Sequence, residues 1–241
     1  MTHSEEILVA SERGDIQQVR VLLGSDRKLA TAKGAYDKTP LHWAAEKNYV
    51  ELAEVLVAAG ADIHAETTWG MTPLQWAANM GSREVAEILL QHGALPQLNM
   101  WSAAGLGMLD VVQSFWESSR KLKPGAGQMR TRRTPEGGWG KLPPPEDYAS
   151  LVSDAFYIAA RNGHIDVAKF LLEKGADINW RGFFGGTGLH WAAINGHKKM
   201  VEFLIFNGAD LALRDQQHNA TAQGWAREGN RTEIAELLQG H

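Results

Sequence analysis

The chain contains no cysteine, which excludes disulfide bonds, thiolate metal ligands and a cysteine nucleophile. It also lacks a basic field, because 24 Lys and Arg residues stand against 28 Asp and Glu residues, a net charge of -4. General binding to nucleic acid or to an anionic membrane is therefore not expected. No apolar run could span a bilayer, and residues 1–14 have neither the basic nor the apolar region of a secretion signal. We therefore expect a soluble, cytoplasmic protein.

What the chain has in abundance is self-similarity. The heptapeptide TPLHWAA at residues 39–45 recurs as TPLQWAA at residues 72–78 and as TGLHWAA at residues 187–193. A Gly-Ala pair also recurs, starting at Gly60, Gly93, Gly175 and Gly208: Gly60 and Gly93 are 33 residues apart, and so are Gly175 and Gly208. A fixed period of this length indicates a repeat architecture, in which each unit buries its apolar face against its neighbours.

The period and the T-P-L-H-x-A motif resemble those of ankyrin-repeat proteins. The residue preferences of helix ends agree with the motif. Thr39, Thr72 and Thr187 are suitable N-caps, and the glycines of the repeated Gly-Ala pairs can end a helix in the left-handed conformation. Weaker copies extend the array to both ends of the sequence. The resemblance implies an all-α ankyrin-repeat solenoid of about seven helix-turn-helix repeats, in which the two terminal repeats act as caps.

One segment interrupts the repeats. We predict repeats 1–4 over residues 1–116, a basic Gly/Pro-rich insertion over 117–147 and repeats 5–7 over 148–241, all within one continuous solenoid domain. Three prolines before Glu146 predict a helix from about that residue through Arg161. The insertion has three open readings: a solvated loop, an arm that recognises an acidic peptide or phosphate group, or a lid folded over the binding groove.

Neither catalysis nor metal binding is indicated by the nine histidines. The resemblance implies that His42 and His190 hydrogen-bond to neighbouring backbone and threonine groups. The others that we place between helices, such as His164 and His197, fall on turns where solvent exposure is the default, and no pair has the spacing of a zinc site. We expect no catalytic residue, no metal and no cofactor.

The resemblance also implies where a partner would bind, because turn tips and the exposed ends of the first helices face the concave groove of such an array. Trp43, Trp76 and Trp191 share one motif position and are predicted to pack between helices. Large apolar groups at the groove positions point to a binding surface. The candidate partner-binding residues are Tyr36, Lys38, Glu46, Lys47, Trp69, Met71, Met80, Leu106, Arg161, Asn162, Phe183, Phe184, Ile194, Asn195 and His218.

The function predicted from this pattern is non-catalytic protein-protein interaction, with a protein or peptide in the groove of a monomer. The alternative is a small-molecule-binding protein or unusual enzyme, in which the insertion closes the groove and Arg161, His218 or Asp154 supplies polar chemistry. A nucleic-acid-binding module would need a basic face, which the sequence does not offer.

Overall fold

The computed structural model of the protein describes residues 2–94, 98–127, 130–133, 139–142, 147–182 and 185–240. These residues contain fourteen α-helices in seven consecutive pairs, which confirms the mostly helical repeat array. The helices are α1 His3–Arg13, α2 Ile16–Ser25, α3 Pro40–Lys47, α4 Val50–Ala59, α5 Pro73–Met80, α6 Arg83–Leu89, α7 Met100–Gly105, α8 Leu109–Ser114, α9 Tyr148–Arg161, α10 Ile165–Glu173, α11 Gly188–Asn195, α12 Lys198–Phe206, α13 Ala222–Glu228 and α14 Thr232–Gln239. None of the helices in these ranges combines the length and apolar character needed to cross a bilayer.

Each repeat motif carries its own helix cap. Thr72 precedes α5, and its hydroxyl accepts the N–H of Gln75 while the Gln75 side chain accepts the N–H of Thr72 at 3.0 Å. Thr39 and Thr187 form the same reciprocal arrangement with a histidine at the third helical position. These observations confirm the three predicted N-caps and fix where the first helix of each motif begins.

The chain divides into two compact units. Residues 1–98 with 129–143 form the first unit, and residues 99–128 with 144–241 form the second. Within the first unit α1, α3 and α5 pack in succession, and within the second unit α7, α9, α11 and α13 do so. The motif alanines at these contacts, such as Ala44 and Ala192, are fully buried, because small side chains let neighbouring helices approach closely. The continuous solenoid with breaks after residues 116 and 147 stays a prediction.

The insertion contributes strands that the sequence did not predict. Among its described residues β1 Trp116–Ser118 pairs antiparallel with β2 Lys121–Leu122, and β3 Arg130–Arg133 pairs antiparallel with β4 Trp139–Leu142. In the second hairpin Arg133 lies opposite Trp139, so five residues connect the two strands. Those five residues include a proline and two glycines. A connection of this length and composition is typical of a β-hairpin, so the sequence could have predicted one here.

The first part of the insertion packs against the second unit. The N–H of Lys123 donates to the carbonyl of Phe115 at 2.8 Å, and the N–H of Met100 donates to the carbonyl of Ala126 at 3.2 Å. Ala126 is only 3% exposed, so residues up to this point are part of the folded unit. The solvated-loop reading is therefore wrong at Ala126, whereas Lys121, Lys123, Pro124 and Gly125 are exposed.

An aromatic contact joins the two ends of the insertion. The indole N–H of Trp116 donates to the hydroxyl of Tyr148 at 3.1 Å, and that hydroxyl donates to the carbonyl of Lys174 at 3.0 Å. The Trp116 ring also meets Phe170 edge to face, with centroids 5.1 Å apart. Helix α9 begins at Tyr148, two residues after the predicted start, because Asp147 rather than Glu146 caps it.

Candidate functional site

The predicted site residues fall on both units. In the first unit Lys38 is buried, Glu46, Trp69 and Met71 are half-buried, and Tyr36, Lys47 and Met80 are exposed. In the second unit Leu106 and Arg161 are buried, Asn162 and Ile194 are half-buried, and Asn195 and His218 are exposed. Phe183 and Phe184 lie outside the described residues.

An aromatic stack, formed by Tyr36, Trp69 and Trp76, dominates the first unit. The rings of Tyr36 and Trp69 stack with centroids 4.8 Å apart, and those of Trp69 and Trp76 stack with centroids 5.7 Å apart. Tyr36 is 61% exposed at the outer end, whereas Trp76 is buried at the inner end. The three residues lie on two successive turns and on α5, so their stacking depends on the repeat register.

The conformation of the first turn is unusual. Tyr36 and Asp37 both have left-handed backbone angles, with φ of 60° and 57°. Side chains other than glycine adopt this region at a cost, because Cβ crowds the carbonyl oxygen. The turn is closed by the N–H of Gly34, which donates to the carbonyl of Lys38 at 2.9 Å. The residue types of this turn did not predict two such residues in succession.

Next to the stack lies a lysine box, which we define as Trp43, Trp76 and Glu46 around the ammonium group of Lys38. The Lys38 nitrogen lies 3.3 Å from the ring centroid of Trp43 and 4.9 Å from that of Trp76. It also lies 2.6 Å from Oε2 of Glu46, and only 10% of the Lys38 side chain is exposed. The cation is therefore satisfied by one carboxylate and two indole faces.

Glu46 connects the lysine box to its surroundings. Its Oε2 also accepts the indole N–H of Trp76 at 3.1 Å, and its Oε1 lies 3.5 Å from the nitrogen of Lys47. Burial alone would raise the pKa of Glu46, but the hydrogen bond and charge of Lys38, together with the Trp76 hydrogen bond, outweigh it and hold the pKa below its ordinary value. Glu46 is therefore ionised at neutral pH and keeps the Lys38 charge compensated.

The second unit has its own contact between a cation and an indole. The guanidinium of Arg161 lies 4.1 Å from the ring centroid of Trp191, and Trp191 meets Trp225 edge to face with centroids 4.9 Å apart. Burial lowers the pKa of Arg161 from its ordinary value. Trp225 donates its indole N–H to Asp215 at 3.0 Å. Tryptophans at the repeated motif position thus pair with a buried cation in each unit.

Comparison with known families agrees with this geometry. The family model described as ankyrin repeats (3 copies) matches residues 7–100 and 156–241, which is more than half of the chain. The chain belongs to the ankyrin-repeat family. The unmatched residues 101–155 include the whole insertion and the short fourth repeat. This ankyrin-repeat protein therefore departs from its family in the segment where the sequence also departs from the 33-residue period.

The expected exposure of Leu106 is wrong, because its side chain is fully buried in the ankyrin array. Helix α7 is only six residues long and Leu106 caps its end, immediately before the left-handed Gly107. In the third repeat the equivalent residue, Met80, is the last residue of α5 and is 38% exposed. The shortened fourth repeat instead turns Leu106 inward, where burial of a leucine is worth about 2 kcal/mol.

Two predicted groove residues join ankyrin repeats to each other. The side-chain amide of Asn162 donates to the carbonyl of Gly105 at 2.8 Å, and that of Asn195 donates to the carbonyl of Arg161 at 3.0 Å. Each amide thus satisfies a carbonyl at the end of the preceding first helix. These contacts give both residues a structural role in the second unit.

The histidines of the ankyrin motif behave as predicted. Thr39 donates its N–H to Nδ1 of His42 at 3.2 Å, and Nε2 of His42 lies 3.0 Å from the carbonyl of Met71. His190 makes the matching contacts with Thr187 and with the carbonyl of Ala220. His164 and His197 are half-buried rather than exposed, since each packs against a left-handed glycine of the preceding repeat. Within the described ranges no group of three or more His, Asp or Glu side chains could hold a metal ion.

Trp43 and Trp76 are the site residues that sequence reasoning missed, because it assigned them to helix packing alone. Trp76 is 7% exposed and Trp43 is half-buried, yet both present ring faces to Lys38. Their spacing of 33 residues places them at equivalent positions of adjacent ankyrin repeats. That spacing was the signal that could have brought the two indoles together.

Proposed function

We propose that this chain is a non-catalytic binding protein that holds a protein partner on the surface of its first unit around Tyr36 and Trp69. Ankyrin repeats are typically protein-protein interaction modules, and the family match makes this the expected class of function. The observation that carries the proposal is a tyrosine ring that is 61% exposed at the end of a stack of aromatic rings. An ordinary surface turn gains nothing from such a side chain.

Backbone strain supports this assignment. A residue other than glycine in the left-handed region costs on the order of 1 kcal/mol, and strain of this kind concentrates at functional sites. Glycine would adopt the conformation of Tyr36 without strain, and the chain uses glycine in the left-handed region at many other turns. A tyrosine that costs stability and contributes little burial is best explained by binding.

The stack also prepares the surface for a partner. Trp69 lies between Tyr36 and Trp76, so the rings of Tyr36 and Trp69 are already ordered and lose little conformational freedom when a ligand covers them. Tyrosine and tryptophan are enriched among residues that dominate binding energy. Lys47 and the 38% exposed Met80 extend the proposed surface along the ends of α3 and α5. A chain without cysteine suits the reducing conditions of the cytoplasm.

Crosslinking from the exposed ring tests the proposal. The photoreactive residue p-benzoylphenylalanine would replace Tyr36, and the same residue would replace Val21, which is 68% exposed on α2, as the control. We expect a protein crosslinked from position 36 and not from position 21. Equal labelling of the same proteins from both positions would count against the proposed surface.

Affinity measurements then distinguish the contribution of the Tyr36 ring to binding from that of the strained turn. Tyr36→Gly removes the ring and the strain, whereas Asp37→Gly removes the strain and the carboxylate of the neighbouring left-handed residue and keeps the ring. Against the crosslinked partner, Tyr36→Gly should weaken binding by roughly thirtyfold, which corresponds to ~2 kcal/mol, and Asp37→Gly should leave it within about twofold. Equal affinities for the two variants would refute the role of Tyr36.

A further inference from the structure

The lysine box has the chemistry of a ligand site, although its occupant belongs to the chain itself. Two indole faces and one carboxylate converge on a single ammonium group, at 3.3 Å, 4.9 Å and 2.6 Å. Trp76 contributes twice, because its ring faces Lys38 while its N–H orients Glu46. Fixed donors and ring faces around one charge are what a cation-binding site requires.

We propose that Trp43, Trp76 and Glu46 form a binding site for a primary alkylammonium group, and that a lysine of a basic partner segment enters it by displacing Lys38. The part of the proposal that concerns a partner rests on the proposed function above. The site itself is defined by the three side chains and requires no partner.

If another ammonium group replaced that of Lys38, Trp43, Trp76 and Glu46 would each keep a cationic partner. Removing Lys38 alone would strand the half-buried carboxylate of Glu46, but an incoming lysine restores both the ion pair and the contacts with the indoles. Lys38 follows the turn that carries the exposed Tyr36, and 10% of its own side chain is already in contact with solvent. The contacts of a partner with Tyr36 and Trp69 would offset the cost of association.

The charge of the chain favours a basic partner. The first unit, residues 1–98 with 129–143, contains 12 Lys and Arg residues against 14 Asp and Glu residues. Its repeats alone, residues 1–98, have 8 basic residues against 13 acidic ones. An acidic array attracts a lysine-bearing segment and repels an acidic one.

The geometry favours a primary ammonium over a methylated one. The 2.6 Å contact with Glu46 is a charge-assisted hydrogen bond, which requires an N–H donor. A nitrogen 3.3 Å from a ring centroid also leaves no space for a methyl group on that side, because carbon atoms pack at about 3.5–4.0 Å. Tetramethylammonium should therefore be a poor ligand.

Chemical rescue tests the site directly. Lys38→Ala deletes the atoms that n-propylammonium replaces, and Lys38→Met keeps the box filled by an uncharged chain. With ionic strength matched by sodium chloride, n-propylammonium should raise the Tm of Lys38→Ala saturably, and it should shift the indole N–H resonance of Trp76. Wild type, Lys38→Met and the tetramethylammonium titration should show neither effect. A partly unfolded Lys38→Ala is still informative, because ligand binding would restore its helical circular dichroism.

A peptide experiment tests displacement. The tripeptide acetyl-Gly-Lys-Gly-amide should bind Lys38→Ala at least tenfold more tightly than wild type, since the competing lysine is gone, and the norleucine analogue should bind neither. No saturable response of Lys38→Ala to n-propylammonium, or an equal response of Lys38→Met, would overturn the site. Equal affinity of the lysine peptide for wild type and Lys38→Ala would overturn displacement. Neither assay uses the partner crosslinked through Tyr36, so failure of that proposed function would be seen separately.

Discussion

The ammonium group of Lys38 lies 3.3 Å from the ring centroid of Trp43, five residues further along the chain. Lys38 belongs to the turn before α3 and Trp43 to α3 itself, so this contact fixes the turn to the helix. The ion pair with Glu46, at the other end of α3, fixes it a second time. In the free protein the strained turn that carries Tyr36 is thus attached to α3 at two points, which limits its freedom before a partner binds.

The Lys38–Glu46 pair should respond asymmetrically to mutation. Glu46→Ala leaves the buried ammonium without its carboxylate, and we expect it to lower the free energy of unfolding by about 2 kcal/mol or more. Lys38→Met keeps the apolar chain against Trp43, and the stranded Glu46 can reach water near Lys47, so its cost should be about 1 kcal/mol. Urea unfolding of the two variants measures both costs. Equal losses would show that the pair acts only through its Coulomb attraction.

The pH dependence of stability should contain a contribution from His42. Burial lowers its pKa to about 4 from 6.5, although the hydrogen bond to the Met71 carbonyl acts in the opposite direction. The unfolded chain therefore takes up a proton before the folded one, and stability that is complete above pH 6.5 is lost as the pH falls towards 4. The expected loss is about 3 kcal/mol.

His42→Gln is the matched test of that contribution, because the third repeat already uses Gln75 at the same position and caps Thr72 with it. Urea unfolding at pH 7 and at pH 4 should show a loss of stability that is smaller in the variant by about 3 kcal/mol. An unchanged loss in His42→Gln would mean that other groups determine the acid sensitivity.

The repeat register and the helix caps were predictable because each motif contains the residues that determine them. Thr72 and Gln75 stand three positions apart and cap α5 without help from any other part of the chain. The lysine box was not predictable in this way, since Lys38 and Trp76 come from different repeats and meet only after the helices pack. The shortness of the fourth repeat is visible in the sequence, but the inward turn of Leu106 that accompanies it was not predictable from any motif residue.

The turn before α13 should depend on the ionised form of Asp215. Its Oδ1 accepts the N–H groups of Gln217 and His218, and its Oδ2 accepts those of Ala220 and the Trp225 indole. Burial opposes ionisation, but these four hydrogen bonds outweigh it and hold the pKa of Asp215 far below its ordinary value. The stability they provide is complete well above pH 4 and is lost as the pH falls below about 4.

Asp215→Asn should therefore cost about 3 kcal/mol at pH 7, because an amide NH₂ would face two N–H donors. The exposed Asp210 accepts the N–H of Ala212, and Asp210→Asn is the control, with an expected cost below about 0.5 kcal/mol. Thermal unfolding at pH 7 and pH 3 compares the three proteins. A variant Asp215→Asn as stable as the control would show that the carboxylate charge is dispensable.

The insertion should contribute to stability through its first residues only. Replacing residues 128–142 with a short glycine-serine linker retains the contacts of Lys123 with Phe115 and of Ala126 with Met100. Because the entropy of a flexible connection changes slowly with its length, this variant should stay within about 0.5 kcal/mol of wild type. Replacing residues 121–142 with the same linker removes both hydrogen bonds and the buried Ala126, and should cost about 2 kcal/mol while the helices still form.

Urea unfolding followed by circular dichroism separates the variants, and Ala126→Asp should reproduce most of the larger loss by burying a carboxylate. Equal stability of the two deletions would show that residues 121–127 are only a connection, whereas collapse of both would show that the segment beyond residue 127 covers part of the core.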